Sequence, residues 1–147
     1  MGTKRHIVSD RRGAPLSAVI SAANRTDMKL AAATLDGIVV PRPESTSACP
    51  QHLCRDKGFD YPETRAAAAA RGYTVHTPHK RKPGEDAPPP PADQRHPARR
   101  WVVERTNGWH NRFRKLRIRY EKKAENYHGL VCLACCLIVY RLRLLLG

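Results

Sequence analysis

Acidic residues are scarce. Against 27 Lys and Arg, the 147 residues carry only 13 Asp and Glu, which leaves a formal charge of +14. A polycation of this kind finds its best counter-surface in nucleic acid or anionic lipid, and acidic small molecules do not call for so much charge. Aromatic residues are few as well, at 6% beside 41% hydrophobic residues, so a core must rest on Ala, Val, Leu and Ile and is expected to be small. The length allows one domain or part of one. No uncharged apolar run exceeds the 12 residues of 129–140. A membrane-spanning helix needs about 20, so the run predicts a buried helix and no membrane segment. A Gly-rich phosphate loop is missing, and none of Ser9, Ser17, Ser21, Ser45 and Ser47 stands in a G-x-S-x-G setting, which removes support for nucleotide binding and for a hydrolase triad. The five cysteines are odd in number and follow no secretory leader. That argues against a disulfide framework and points to the reducing cytoplasm.

What is present divides the chain into five stretches. Residues 1–36 read as a hairpin and helix: apolar β-prone runs at 5–8 and 16–21 flank the turn residues 9–13, and 28–35 is rich in Met, Leu and Ala. Residues 37–51 form a loop, with three prolines between 41 and 50. Residues 52–79 read as strand, helix, strand: 52–54, then 63–71 with five consecutive alanines stopped by Gly72, then 73–76. Short links predict a parallel βαβ unit. Residues 80–98 hold six prolines and almost nothing apolar, and predict a disordered or polyproline loop. Residues 99–147 predict two helices, 99 to about 120 and about 126 to 146.

The first of these helices carries the most information. Val102, Trp109, Phe113, Leu116 and Tyr120 share one face, and Trp101, Glu104, Gly108, Asn111 and Lys115 lie roughly opposite. Residues 95–123 contain eleven Lys or Arg against Glu104 and Glu121. Guanidinium groups interleaved with Trp and Phe suit a phosphate backbone, gripping it without reading sequence. A merely solvated basic face is the plainer reading, but the charge of the whole chain weighs against it. Asp56 follows directly from the strand at 52–54, and the carboxyl end of a strand in an α/β sheet is a usual place for ligands and metals. A turn former or helix cap is the commoner role for a lone Asp there. Cys49 with Cys54, and Cys132, Cys135 and Cys136, raise the question of zinc, but the second group sits in an apolar helix where packing is expected.

These segments carry a resemblance. CRDKGFDYPETRAAAAARGYTVH, followed after a loop by RRWVVERTNGWHNRFRKLRIRYEKKAENYHGLVCLACCLIVYR, resembles the carboxyl-terminal half of bacterial insertion-sequence transposases of the DDE class. The stretch GTKRHIVSDRRGAPLSAVISAANRTD is similar to the hairpin-and-helix segment of the same enzymes. D-K-G-F-D together with V-E-R, with Trp five and Arg eight residues after the Glu, is far more specific than either alone.

The resemblance implies a ribonuclease H-like α/β fold, a mixed sheet flanked by helices and here lacking its first strand, and makes residues 1–147 a partial catalytic domain. It implies metal-dependent DNA strand cleavage and transfer, with three carboxylates holding two magnesium or manganese ions. Asp56 matches the second acid and Glu104 the third, both as catalytic residues and as metal ligands. No residue matches the first; Asp10 falls in the hairpin turn. Arg100 and Glu104 match the family's Tyr, Arg, Glu, Lys signature, while Pro97 stands for the Tyr and Asn111 for the Lys. Arg112 or Lys115 is the expected substitute cation. Lys57, Arg100, Arg105, Arg112, Lys115, Arg117 and Arg119 are the expected DNA contacts.

The expected partners are DNA, an upstream-frame segment of the same transposase and a second copy of the chain, with no membrane. The chain is thus expected to be a truncated or downstream-frame product. Two alternatives stay open: a non-catalytic basic DNA-binding module, and a membrane-surface protein using the terminal helix.

Overall fold

The computed structural model describes residues 2–80, 84 and 100–146, and the chain divides into two compact units. One draws on residues 1–25, 33–40 and 101–147, and the other on 26–32 and 41–100. The predicted proline-rich loop, apart from Lys80 and Gly84, lies outside the described residues, as does Pro97.

In the discontinuous unit, β1 (Thr3–Ser9) and β2 (Pro15–Ala22) pair antiparallel from Thr3 opposite Ala22, with an irregularity between Val8 and Ser9. The turn closes on Asp10, whose carboxylate accepts from the backbone N–H of Arg12 (2.9 Å) and Ala14 (2.7 Å). Asp10 is therefore a turn former, as the sequence indicated. Gly13 has φ 83°, a left-handed conformation that a residue with a Cβ adopts only at a cost.

The carboxyl-terminal part of this unit supplies α3 (Arg100–Asn111), α4 (Arg114–Arg117) and α5 (Ala124–Leu146). Tyr127, Val131, Ala134 and Ile138 recur at helical spacing along α5 and are buried, and Ala18 and Ile20 of β2 pack against the core with Phe113 and Leu116. The Tyr127 hydroxyl donates to the Leu116 carbonyl (3.1 Å), fixing α5 on α4. α1 (Ala31–Asp36) adds buried Thr34 and Leu35.

Three expectations for this region need correction. The single helix expected from 99 to about 120 is broken, because Phe113 is extended (φ −81°, ψ 108°) so that it and Leu116 reach the core, and Tyr120 is 66% exposed rather than on an apolar face. The apolar run at 129–140 belongs to a 23-residue helix, long and apolar enough by length and composition to cross a membrane, because Arg141 and Arg143 interrupt the run without ending the helix. It is only partly buried: Leu133, Leu137, Val139, Tyr140 and Leu144 are exposed. Nor is the cysteine group core packing as a whole, since Cys132 and Cys136 are exposed and only Cys135 turns inward.

In the second unit, β3 (Gln51–Cys54) and β4 (Tyr73–His76) pair parallel, Gln51 opposite Tyr73 and Cys54 opposite His76. α2 (Pro62–Ala69) joins them, as expected for a βαβ unit, starting with Pro62 in its first turn, where a missing N–H costs nothing. It ends at Ala69, and Gly72 follows, its N–H donating to the Ala69 carbonyl (2.9 Å) and its φ of 77° turning the chain out of the helical path. Thr64 and Ala68 form its buried face. Among the described residues the strands thus make two separate two-stranded sheets.

Candidate functional site

Asp56 stands one residue beyond the last rung of the parallel pair, where the Arg55 N–H donates to the His76 carbonyl (2.9 Å). Its extended backbone and its carboxylate, which accepts from the Gly58 N–H (3.2 Å), start a 3-10 turn at Lys57–Phe59. Asp56 is half-buried and Lys57 is exposed.

The rest of the D-K-G-F-D segment builds the support. Asp60 accepts from the Arg65 guanidinium (2.9 and 2.6 Å), the Lys80 N–H (2.8 Å) and His79 Nδ1 (3.0 Å). The Lys80 N–H, followed by Arg65, holds its carboxyl below the usual range. Arg55 donates to Thr77 Oγ1 (3.2 Å) and the Thr64 carbonyl (3.0 Å), tying the strand end to α2. Burial lowers its pKa, and the neighbouring Arg65 adds to the effect. The two aspartates therefore differ in kind: Asp60 is a clamp, and Asp56 sits on what the clamp holds.

In the discontinuous unit, Glu104 is exposed on α3. The next two residues fasten the helix to the hairpin tip. Arg105 Nη2 donates to the Arg12 carbonyl (2.5 Å), and the fully buried Thr106 hydroxyl donates to the Gly13 carbonyl (2.8 Å). The Arg105 guanidinium lies over two indoles, with centroid distances of 4.8 Å to Trp101 and 5.0 Å to Trp109. A Cβ on Gly13 would come within 3.1 Å of Arg105 Nη2 and Thr106 Oγ1. Gly13→Ala is accordingly expected to cost about 1–2 kcal/mol, from left-handed strain and displaced contacts, measured by urea denaturation. An unchanged midpoint would show that the tip yields freely.

The structure locates the other expected contacts. Arg112, Lys115 and Arg117 are exposed. Arg119 is half-buried, and its guanidinium donates to the carbonyls of Glu121 (2.8 Å) and Lys122 (3.1 Å) and to Thr3 Oγ1 (2.6 Å). Arg100 opens α3. Asn111 does have a cation beside it, but from β1: Arg5 Nη2 donates to Asn111 Oδ1 (2.6 Å). Sequence reasoning looked only to neighbours of Asn111, and Arg5 lies 106 residues away. His110 was likewise missed. It is completely buried, with Nδ1 unpartnered and Nε2 3.3 Å from Cys135 Sγ, and burial together with Arg5 lowers its pKa to about 4. Burial raises the Cys135 thiol to about 11, which makes it unreactive. Among the described residues no three His, Cys, Asp or Glu are grouped so as to hold a metal ion.

A protein of Burkholderia cepacia known as "Putative transposase for insertion sequence element IS402" is 33% identical over 146 residues, a stretch that is 95% of this chain and 63% of that protein's length. The chain thus spans less than two thirds of that relative. No solved structure matches. The family described as "Transposase DDE domain" matches residues 1–139, which include Asp56, Glu104 and the hairpin clamp, and the chain belongs to that family.

Proposed function

We propose that the chain forms part of the catalytic domain of an insertion-sequence transposase, ribonuclease H-like in fold, that cleaves and joins DNA strands with divalent metal ions, Asp56 and Glu104 being two of the carboxylates that hold them. The observation that carries this reading is the pairing of D-K-G-F-D with V-E-R in a chain matched over residues 1–139 by the DDE transposase domain. The donor set suits such ions, since carboxylate oxygens favour magnesium or manganese over softer metals. Bound ions would supply charge to the attacking and leaving oxygens of a phosphodiester.

The chain's own part is to hold and orient DNA. Lys57 follows Asp56 in sequence and is exposed, and Arg105, which follows Glu104, is fixed over two indoles, so each acid has a cation as its chain neighbour. Arg100, Arg112, Lys115, Arg117 and Arg119 add charge for the backbone.

Calorimetric titration with manganese tests the reading. The chain is expected to bind the ion, and Asp56→Ala and Glu104→Ala are each expected to weaken binding at least tenfold while the far-ultraviolet spectrum stays unchanged. Equal binding by both variants and the parent would overturn the assignment and leave a basic DNA-binding module.

A further inference from the structure

Beside the core of the discontinuous unit lies a cleft of about 360 Å³ onto which three arginines open: Arg5 from β1, Arg117 at the end of α4, and Arg119 just beyond it. Thr3 and Tyr127 also line it, and none of its lining residues is acidic. Two of the guanidinium groups are held in place by neutral acceptors. Arg5 donates to the Leu116 carbonyl (3.4 Å) and Asn111 Oδ1 (2.6 Å). Arg119 donates to two carbonyls and Thr3 Oγ1, and its Cζ stands 5.4 Å from the Tyr127 ring centroid.

A hydrogen bond to a neutral oxygen orients a guanidinium without cancelling its charge. The cleft therefore keeps the positive charge of Arg5 and Arg119 in fixed positions, which an ion pair would have neutralised. Arg117 differs: it is exposed, and among the described residues its guanidinium makes no hydrogen bond or ion pair. Two oriented cations and one adaptable one, with no acid among the lining residues, suit a tetrahedral oxyanion with several acceptor oxygens.

We propose that this cleft is a phosphate-binding site, with Arg117 closing on an oxyanion whose position Arg5 and Arg119 set. The chemistry is that of a phosphate group, and its source in this chain is a backbone phosphate of DNA. That source rests on the reading of the chain as a transposase; the anion site itself does not.

The test compares Arg117→Gln with Arg114→Gln in the full chain. Arg114 is also exposed and lies on the same short helix, but it does not line the cleft. Each protein is titrated with inorganic phosphate by calorimetry and with a short duplex by fluorescence anisotropy, at matched ionic strength, after thermal melting has shown equal stability. Arg117→Gln is expected to abolish phosphate binding and to weaken duplex binding about tenfold, and Arg114→Gln to leave phosphate binding intact and weaken duplex binding only about two- to threefold. Loss of phosphate binding with no duplex binding by any of the proteins would uphold the anion site, assign it to a free phosphate-bearing ligand and count against the transposase reading. Equal behaviour of the two variants in both titrations, or no phosphate binding by the parent, would overturn the site.

Discussion

Binding of duplex DNA to this chain is expected to weaken about a thousandfold when salt rises from about 50 mM to about 200 mM. Each phosphate neutralised by Lys or Arg releases condensed counterions, and the logarithm of affinity falls with the logarithm of salt by about 0.9 per contact. Arg112, Arg114, Lys115, Arg117, Lys122 and Lys123 are all exposed within a stretch of twelve residues. Six contacts give a slope of about −5, and a fourfold rise in salt then costs about three powers of ten. Unrelated duplexes should bind alike, since contacts to the backbone carry no sequence information. Anisotropy titration at four salt concentrations measures the slope. A fall of less than tenfold would mean that the basic residues are not what holds the DNA.

The second large effect is on stability in acid. His110 is buried and neutral in the fold, with its pKa lowered from 6.5 to about 4. As pH falls below about 6.5 the unfolded chain takes up a proton that the folded chain refuses, so stability is lost progressively down to about pH 4 and then levels off. The loss amounts to about 3 kcal/mol. Burial is the main cause, and Arg5 opposes the charge as well. Both tryptophans, Trp101 and Trp109, belong to the discontinuous unit, so tryptophan fluorescence during urea unfolding reports on that unit alone. His110→Leu should remove this slope between pH 6.5 and 4, and a parent profile as flat as that of the variant would refute the assignment. The Asp60 clamp adds its own acid loss at lower pH, because its carboxyl stays charged until below the ordinary range.

Local structure was legible where local rules decide it. β4 was read to the residue, since Tyr73, Thr74 and Val75 follow a left-handed glycine and favour strands. The turn role of Asp10 was legible from its place between two β-prone runs. The break at Phe113 was not, because the helical spacing of Trp109, Phe113 and Leu116 continues across it and only packing on α5 interrupts the backbone. Exposure along α5 was hidden for a related reason: an apolar run does not say which neighbours will cover it. At the candidate site, resemblance singled out Asp56 and Glu104, while the pairings made by Arg5, Gly13 and Thr106 were invisible. Their partners lie about a hundred residues away in sequence, and nothing in either segment alone signals the meeting.

The discontinuous unit also sets an order of assembly. Its defining bonds join Gly13 to Thr106, Arg5 to Asn111, Thr3 to Arg119 and Ala18 to His128, separations of 93 to 116 residues. The other unit is built from residues 26–32 and 41–100, all of which precede α5 and nearly all of α3 in the chain. On a ribosome the βαβ unit can therefore form while the hairpin waits, its Ala18 and Ile20 uncovered until α5 emerges. Loop closure over such spans is slow, so the hairpin is exposed to wrong pairings throughout that interval. A nascent chain stalled before residue 124 should resist protease across 41–80 and be cut within 3–22.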